Sequence, residues 1–357
     1  MNTFSRSRLS TGIVYALAAA ALFGASTPFS KLLLGSVDPW LLAGLLYLGS
    51  GCGLSLWLLL ASRLTGKDSK EASLKRADLP WLAGAIVFGG VVGPVLLMLG
   101  LASTPAASAS LLLNLEGVLT ALLAWFVFKE NFDRRIALGM AFITAGGVLL
   151  SWTGDIAAGI PWGALGIAGA CLAWGIDNNL TRKVSGGNPV QIAAVKGLVA
   201  GGVNLSLALI LGSRLPGIPT VLAAVAVGLL GYGVSLTFFV LALRHLGTAR
   251  TGAYFSLAPF VGAIFSLVIF QEGLTIVFGV AAVFMSIGVW LHLTERHEHE
   301  HEHEQMEHEH SHVHDEHHQH EHLPSDPPGE PHSHPHRHES MRHSHAHYPD
   351  IHHRHDH

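Results

Sequence analysis

From Gly12 to Leu293 the chain is a series of apolar runs separated by brief polar interruptions. Each run has about the 20 residues that a helix needs to cross a hydrocarbon core roughly 30 Å thick. The pattern predicts helices over residues 12–34, 38–61, 80–102, 105–128, 134–152, 161–182, 189–211, 219–242, 249–270 and 273–293. Asp38-Pro39, Leu79-Pro80, Thr104-Pro105, Asn188-Pro189 and Ile218-Pro219 break the chain between them. One such run fits the core of a soluble protein, but ten in series do not. The first run follows Arg6 and Arg8, and its small residues from Ala21 to Ser26 resemble a cleavage site. It continues to Leu34, so it is read as a retained first helix.

Basic residues order the runs across the bilayer. With the N-terminus inside, the inner segments hold Arg6, Arg8, Arg63, Lys67, Lys70, Lys75, Arg76, Lys129, Arg134, Arg135, Arg182, Lys183, Arg244, Arg250 and Arg296. The outer segments hold Lys31 and Arg214. Both termini are therefore expected in the cytoplasm, with the chain in the inner membrane.

The second half echoes the first. Aligning Glu130 with Glu272 sets Ala106, Ser110, Asn114, Gly117, Ala121 and Ala124 opposite Thr248, Gly252, Ser256, Pro259, Ala263 and Ser266. Each set steps by three or four residues and so forms one small or weakly polar helix face, suited to close packing or to lining a cavity. Phe23-Gly24 likewise matches Trp174-Gly175, and Lys31 matches Arg182. Five helices is an odd number, so the second copy enters the membrane upside down. Inverted repeats build a midplane site that can open to either side.

Composition sharpens the membrane reading. Only 13% of the 357 residues are charged, against about 25% in soluble proteins. Cys52 and Cys171 lie apart within apolar runs and read as small buried residues.

These features together resemble the EamA-like branch of the drug/metabolite transporter superfamily over residues 10–294. The resemblance rests on the two five-helix halves, the Phe23-Gly24 and Trp174-Gly175 pairs, and Leu113-Asn114-Leu115-Glu116-Gly117 through Lys129-Glu130-Asn131. The partner of that last run is Ser256-Leu257-Ala258-Pro259 through Gln271-Glu272-Gly273. The resemblance implies an all-α membrane protein with repeats at 12–152 and 161–293, behind a cytoplasmic segment 1–11. It implies transport and leaves the cargo open, because the branch exports amino acids and other metabolites. Small multidrug members couple to protons through a glutamate in the first helix, and this chain has none there.

An ionisable side chain at mid-membrane costs about 2.5–3.5 kcal/mol on insertion scales, which marks Glu116, Asp177 and Lys196. With Asn114, Asn178, Trp174 and Ser256 they are the candidate substrate pathway. The competing readings are a structural ion pair, Asp177 neutralising Arg182, and Lys196 reaching back to the inner surface. Most other tryptophans (Trp40, Trp57, Trp81, Trp125, Trp152, Trp162, Trp290) fall near helix ends, where indoles anchor in the interface.

Residues 297–357 are a different kind of sequence. They hold 23 of the 25 histidines and few apolar side chains, a composition expected to stay disordered. Imidazole with carboxylate suits Zn, Ni and Co, and His297, His299, His301, His303, His310 and His314 represent the expected ligands. The tail's net charge is −11 against +7 for residues 1–296. It is thus expected to dock on the basic cytoplasmic face and to release on metal binding or on His protonation at about pH 6.

These features predict an inner-membrane secondary exporter that requires no cofactor, is not an enzyme and binds no nucleic acid. A divalent metal or metal complex is its cargo or regulator. The alternative is a metabolite or amino-acid exporter whose tail buffers metal. A homodimer is one assembly such a bundle can form.

Overall fold

Inside a bilayer no water satisfies the backbone, so an apolar run closes its own hydrogen bonds as a helix. The structure, a computed structural model, describes residues 3–65, 74, 76–128, 134–151, 161–184, 187–294, 298–303, 306–312, 332–338 and 341–346. Up to residue 294 the described regular structure is helical. The helices are α1 (Thr3–Leu33), α2 (Pro39–Thr65), α3 (Leu79–Ala85), α4 (Gly93–Ser103), α5 (Ala106–Leu112), α6 (Leu115–Phe128), α7 (Arg134–Ser151), α8 (Trp162–Arg182), α9 (Pro189–Ile210), α10 (Ile218–Gly228), α11 (Ser235–Phe255), α12 (Ala258–Phe270) and α13 (Ile276–Leu293). Wider π-helical turns join α3 to α4 over Ile86–Val92 and α10 to α11 over Leu229–Val234.

Six described stretches are long and apolar enough to span a membrane: Thr11–Leu33, Pro39–Ala61, Arg76–Ser103, Ala106–Leu123, Pro189–Ile210 and Ile218–Ala242. Ala137–Ser151, Ala258–Phe270 and Ile276–Leu291 are apolar but shorter. Large apolar side chains stand in the open around the bundle, Ile276 at 87%, Ile210 at 80% and Ile218 at 75% exposure. Soluble monomers seldom expose such a surface, and lipid covers it here. Trp57, Trp81, Trp162 and Trp290 are exposed as membrane anchors should be. The side chains of Trp125 and Trp152 lie outside the described residues.

The repeat has a geometric counterpart. A shift of 142 residues carries α7 (134–151) onto α13 (276–293). It also carries the π turns at 86–92 to within one residue of those at 229–234. The two halves also break at matching places, α5 from α6 at Leu113-Asn114 and α11 from α12 at Ser256-Leu257, one residue apart under the same shift. Packing repeats as well: α1 lies against α11 and α12 as α8 lies against α4 and α6, while α2 pairs with α9 and α7 with α13.

Glycine sets the closest approaches. On the α2–α9 seam, a Cβ on Gly51 would overlap the backbone of Leu198, and one on Gly197 would overlap Gly51. Apolar burial gives no drive between helices in lipid, so such small-residue seams bring the backbones into contact.

Two expectations need correction. Residues 243–248, expected as a join between helices 219–242 and 249–270, are helical in backbone and belong to α11. They contain no proline, unlike the joins at Pro39, Pro105, Pro161 and Pro189. The tail, expected without structure, forms two antiparallel strand pairs over its described residues, Glu298–His303 with Met341–Ala346 and Met306–His312 with His332–His338. The strict His-Glu alternation has the two-residue period of a strand.

Packing at the α2–α9 seam predicts that Gly51→Leu overpacks by about 1–3 kcal/mol or more, seen as a lower Tm and aggregation in detergent. Gly202→Leu, at a position where a Cβ meets nothing within 4 Å, is expected to leave both unchanged.

Candidate functional site in the membrane interior

The site begins with backbone groups. A π turn replaces i→i+4 hydrogen bonds with wider ones, as from Gly93 N–H to the Phe88 carbonyl, and such bulges collect at functional sites. Here side chains from other helices take up the carbonyls of the bulge. The Gly89 carbonyl accepts from the Tyr47 hydroxyl at 2.6 Å and the Trp174 indole N–H at 3.0 Å. The Gly90 carbonyl accepts from Asn204 Nδ2 at 2.9 Å. Helices α2, α8 and α9 are thus fastened to one turn.

Against this turn sits an ion pair. Lys196 Nζ of α9 donates to Asp177 Oδ1 at 2.6 Å and Oδ2 at 2.5 Å, and both residues are buried. Thr181 Oγ1, one turn along α8, donates to Asp177 Oδ1 at 2.8 Å. A Cβ on Gly89 would occupy the place of the Asp177 carboxylate, so the glycine makes room for the charge. Of the sequence alternatives, this geometry selects the ion pair: Lys196 stays inside, and it is the partner of Asp177.

Glu116 opens α6 just past the break at Leu113-Asn114. Asn178 Nδ2 donates to Glu116 Oε1 at 2.8 Å. Glu116 is half-buried and lies within electrostatic reach of Asp177 and Lys196. The break itself is dressed by side chains: Asn114 Nδ2 donates to the Leu111 carbonyl at 3.0 Å, and the Cys171 thiol faces the Leu112 carbonyl at 3.8 Å. Asn114 Oδ1, Asn204 Oδ1, Ser110 Oγ and Thr120 Oγ1 are buried with no hydrogen-bond partner. Buried polar atoms of this kind have hydrogen-bonding capacity left for a ligand or water.

A chain of aromatic rings borders the polar cluster. Phe23 of α1 touches Trp174, Tyr232 and Phe255 at centroid distances of 5.9, 5.9 and 5.4 Å. Tyr47 meets Tyr232 at 5.3 Å. These rings draw α1, α2, α8, α11 and the second π turn together at the contact between the two halves.

The structure therefore joins Glu116, Asp177, Asn178, Lys196 and Trp174 in one region, with Asn114 at the adjoining break. Ser256 stands at the equivalent break of the second half. The small faces behave mainly as packing surfaces: Ser110, Ala263 and Ser266 are buried, and a Cβ on Gly262 would overlap Gly24 and Ser110. Gly117 is open. In the tail, the backbone of His299, His301, His303 and His310 is described, while His297 and His314 lie outside the described residues. Tyr47, Tyr232, Gly89 and Gly90 belong to the site and carry no charge pattern. The tightest signal for them was Gly89-Gly90 within a run already rich in glycine.

Removing one partner of a buried pair leaves an uncompensated charge and costs about 3–5 kcal/mol. Asp177→Asn is therefore expected to lower Tm strongly in detergent. The double change Asp177→Leu with Lys196→Met is expected to recover much of the loss, which thermal unfolding of the three proteins checks.

The profile of the EamA-like transporter family matches residues 10–152 and again residues 161–294. An uncharacterized transporter of Methanothermobacter thermautotrophicus is 29% identical over 293 residues, 78% of this chain and 85% of its own length. The uncharacterized transporter YyaM of Bacillus subtilis is 25% identical over 232 residues, 61% of this chain and 74% of its own. A crystal structure at 19% identity superposes with a TM-score of 0.59, covering 80% of this chain and 95% of that one, and shows a shared fold. With both halves matched by its profile, the chain belongs to the EamA-like transporter family.

Proposed function

We propose that the chain is an inner-membrane secondary exporter in which two inverted five-helix repeats, ten spans in all, alternate access around the Glu116–Asn178 and Asp177–Lys196 cluster. The cargo in this reading is a small organic solute. The observation that carries it is the chemistry of the interior, where carboxylate, amide, ammonium and aromatic groups meet beside unmatched hydrogen-bonding atoms. Asp177 and Lys196 neutralise each other, so Glu116 supplies the charge that meets the solute. The shared offset of helices and π turns supports the repeat, and the basic residues of the loops support cytoplasmic termini.

Divalent metal enters this reading through the tail, as a regulator. Support comes from the His-Glu alternation and from a strand register that sets His299 opposite His345, His301 opposite His343 and His310 opposite His334. The same alternation favours a second reading, with a Zn, Ni or Co complex as the cargo itself.

The test is counterflow in proteoliposomes with amino acids, amines, Zn, Ni and Co. It compares the full chain, a chain ending at Glu295, and Glu116→Gln. A hydrogen bond to a charged group contributes about 1.5–3 kcal/mol, so Glu116→Gln is expected to cut organic-solute exchange by about tenfold or more with folding retained. Truncation is expected to abolish metal sensitivity and spare exchange. Wild-type exchange by Glu116→Gln would end the reading, and metal counterflow lost on truncation would favour the second.

A further inference from the structure

The charges gathered at the site do not balance. Its described residues include two carboxylates, Glu116 and Asp177, and one ammonium, Lys196. Lys196 Nζ donates to both oxygens of Asp177, at 2.6 and 2.5 Å, so its charge is already engaged. Glu116 receives a neutral amide N–H from Asn178 on Oε1. One carboxylate is left for a partner of opposite charge.

Hydrogen-bonding capacity leans the same way. Donor side chains around the site already donate within the protein, Tyr47 and Trp174 to the Gly89 carbonyl, Asn204 to the Gly90 carbonyl and Asn114 to the Leu111 carbonyl. Among the described residues, the buried side-chain nitrogen and oxygen atoms without a partner are all oxygens. Two of them, Asn114 Oδ1 and Asn204 Oδ1, are amide oxygens, which only accept. Thr120 Oγ1 belongs to the seam that holds Glu116. It lies one turn further along α6, 3.3 Å from where a Cβ on Gly175 would stand, and Gly175 is one turn before Asn178 on α8.

The carboxylate can be approached from inside the bundle. Leu165 and Leu172, 50% and 42% exposed, mark the lipid-facing side of α8. Asn178 is exposed as well, yet at 3.6 residues per turn it stands about 120–140° around the helix from those two leucines. Its exposure is therefore on the side of α8 that meets α6 and Glu116. Gly117, next to Glu116, is exposed, and a Cβ there would meet nothing within 4 Å. Trp174 is one turn from Asn178 on the same side of α8, and its contact with Phe23 borders this opening.

We infer that the cargo is a protonated amine with an apolar body. Its charge and N–H donors answer Glu116 and the unmatched oxygens, and its body answers the rings, whose faces also attract a cation. This names the solute class within the reading above and rests on it. A carboxylate on the solute would meet Glu116 as a like charge and find Lys196 already held by Asp177. A bare divalent ion asks for about six oxygens, or for imidazoles, a different set from one carboxylate among amides and rings.

The experiment is equilibrium binding to the purified full chain by isothermal titration calorimetry. The ligands are phenethylamine, phenylalanine, hydrocinnamate and phenethyltrimethylammonium, which share an aromatic body and differ in charge, carboxylate and N–H donors. Phenethylamine is expected to bind, phenylalanine and phenethyltrimethylammonium to bind about tenfold or more weakly, and hydrocinnamate to give no signal. Glu116→Gln is expected to erase the preference for phenethylamine over phenylalanine, and Glu116→Asp to keep it. Phenylalanine, hydrocinnamate or phenethyltrimethylammonium binding as tightly as phenethylamine would overturn the inference, as would a lack of phenethylamine binding, and each leaves the organic-solute reading standing. Phenethylamine binding unchanged in Glu116→Gln would overturn both. If Glu116→Gln does not fold, the ranking of the ligands on the wild-type chain carries the test.

Discussion

A charge inside a membrane must be matched by the protein, because nothing else there can match it. The pair of Asp177 and Lys196 is where this chain meets that requirement, and the neighbouring architecture follows from it. The pair ties α8 to α9. It takes the space that a side chain at Gly89 would fill. The bulge around Gly89 then presents carbonyls that Tyr47, Trp174 and Asn204 satisfy from three helices. A buried pair gains little net stability over apolar residues of the same size. What it gives here is specificity, since one register of α8 against α9 and the bulge pairs the two charges and serves the Gly89 and Gly90 carbonyls.

Glu116 differs from that pair in a way that suits a working group. Asn178, which donates to it, is a neutral amide, its helix begins beside it, and it is half-buried. Around it are breaks and bulges where the helix ladder is already loosened, and hydroxyl and amide oxygens without partners. The glycine seams between α2 and α9 provide the rigid counterpart, holding backbones in contact. Rigid seams and loosened centres in one bundle suit the helix motion that the proposed alternating access requires.

The sequence exposed the helices well, because twenty-residue apolar runs and proline joins are strong, local signals. It exposed the repeat through Glu130 and Glu272, and the charges of the site through their rarity in apolar runs. It did not expose the π turns, since a one-residue widening leaves hydrophobicity unchanged. Nor did it choose among partners for Asp177: Arg182 is near in sequence and Lys196 is 19 residues away, and only the folding of α8 against α9 decides between them. Tyr47 and Tyr232 were invisible as site residues because a tyrosine in an apolar run looks the same whether it packs or binds. The join at 243–248 was misread because the charge of Arg244 suggested a loop where the backbone, free of proline, stays helical.

The most direct measurement is electron cryomicroscopy of the full chain in nanodiscs, with and without a solute that it exchanges. The account predicts density for the solute within hydrogen-bond distance of Glu116 and Asn178, beside an intact Asp177–Lys196 pair. Solute bound elsewhere, with the Glu116–Asn178 contact unchanged, would contradict it.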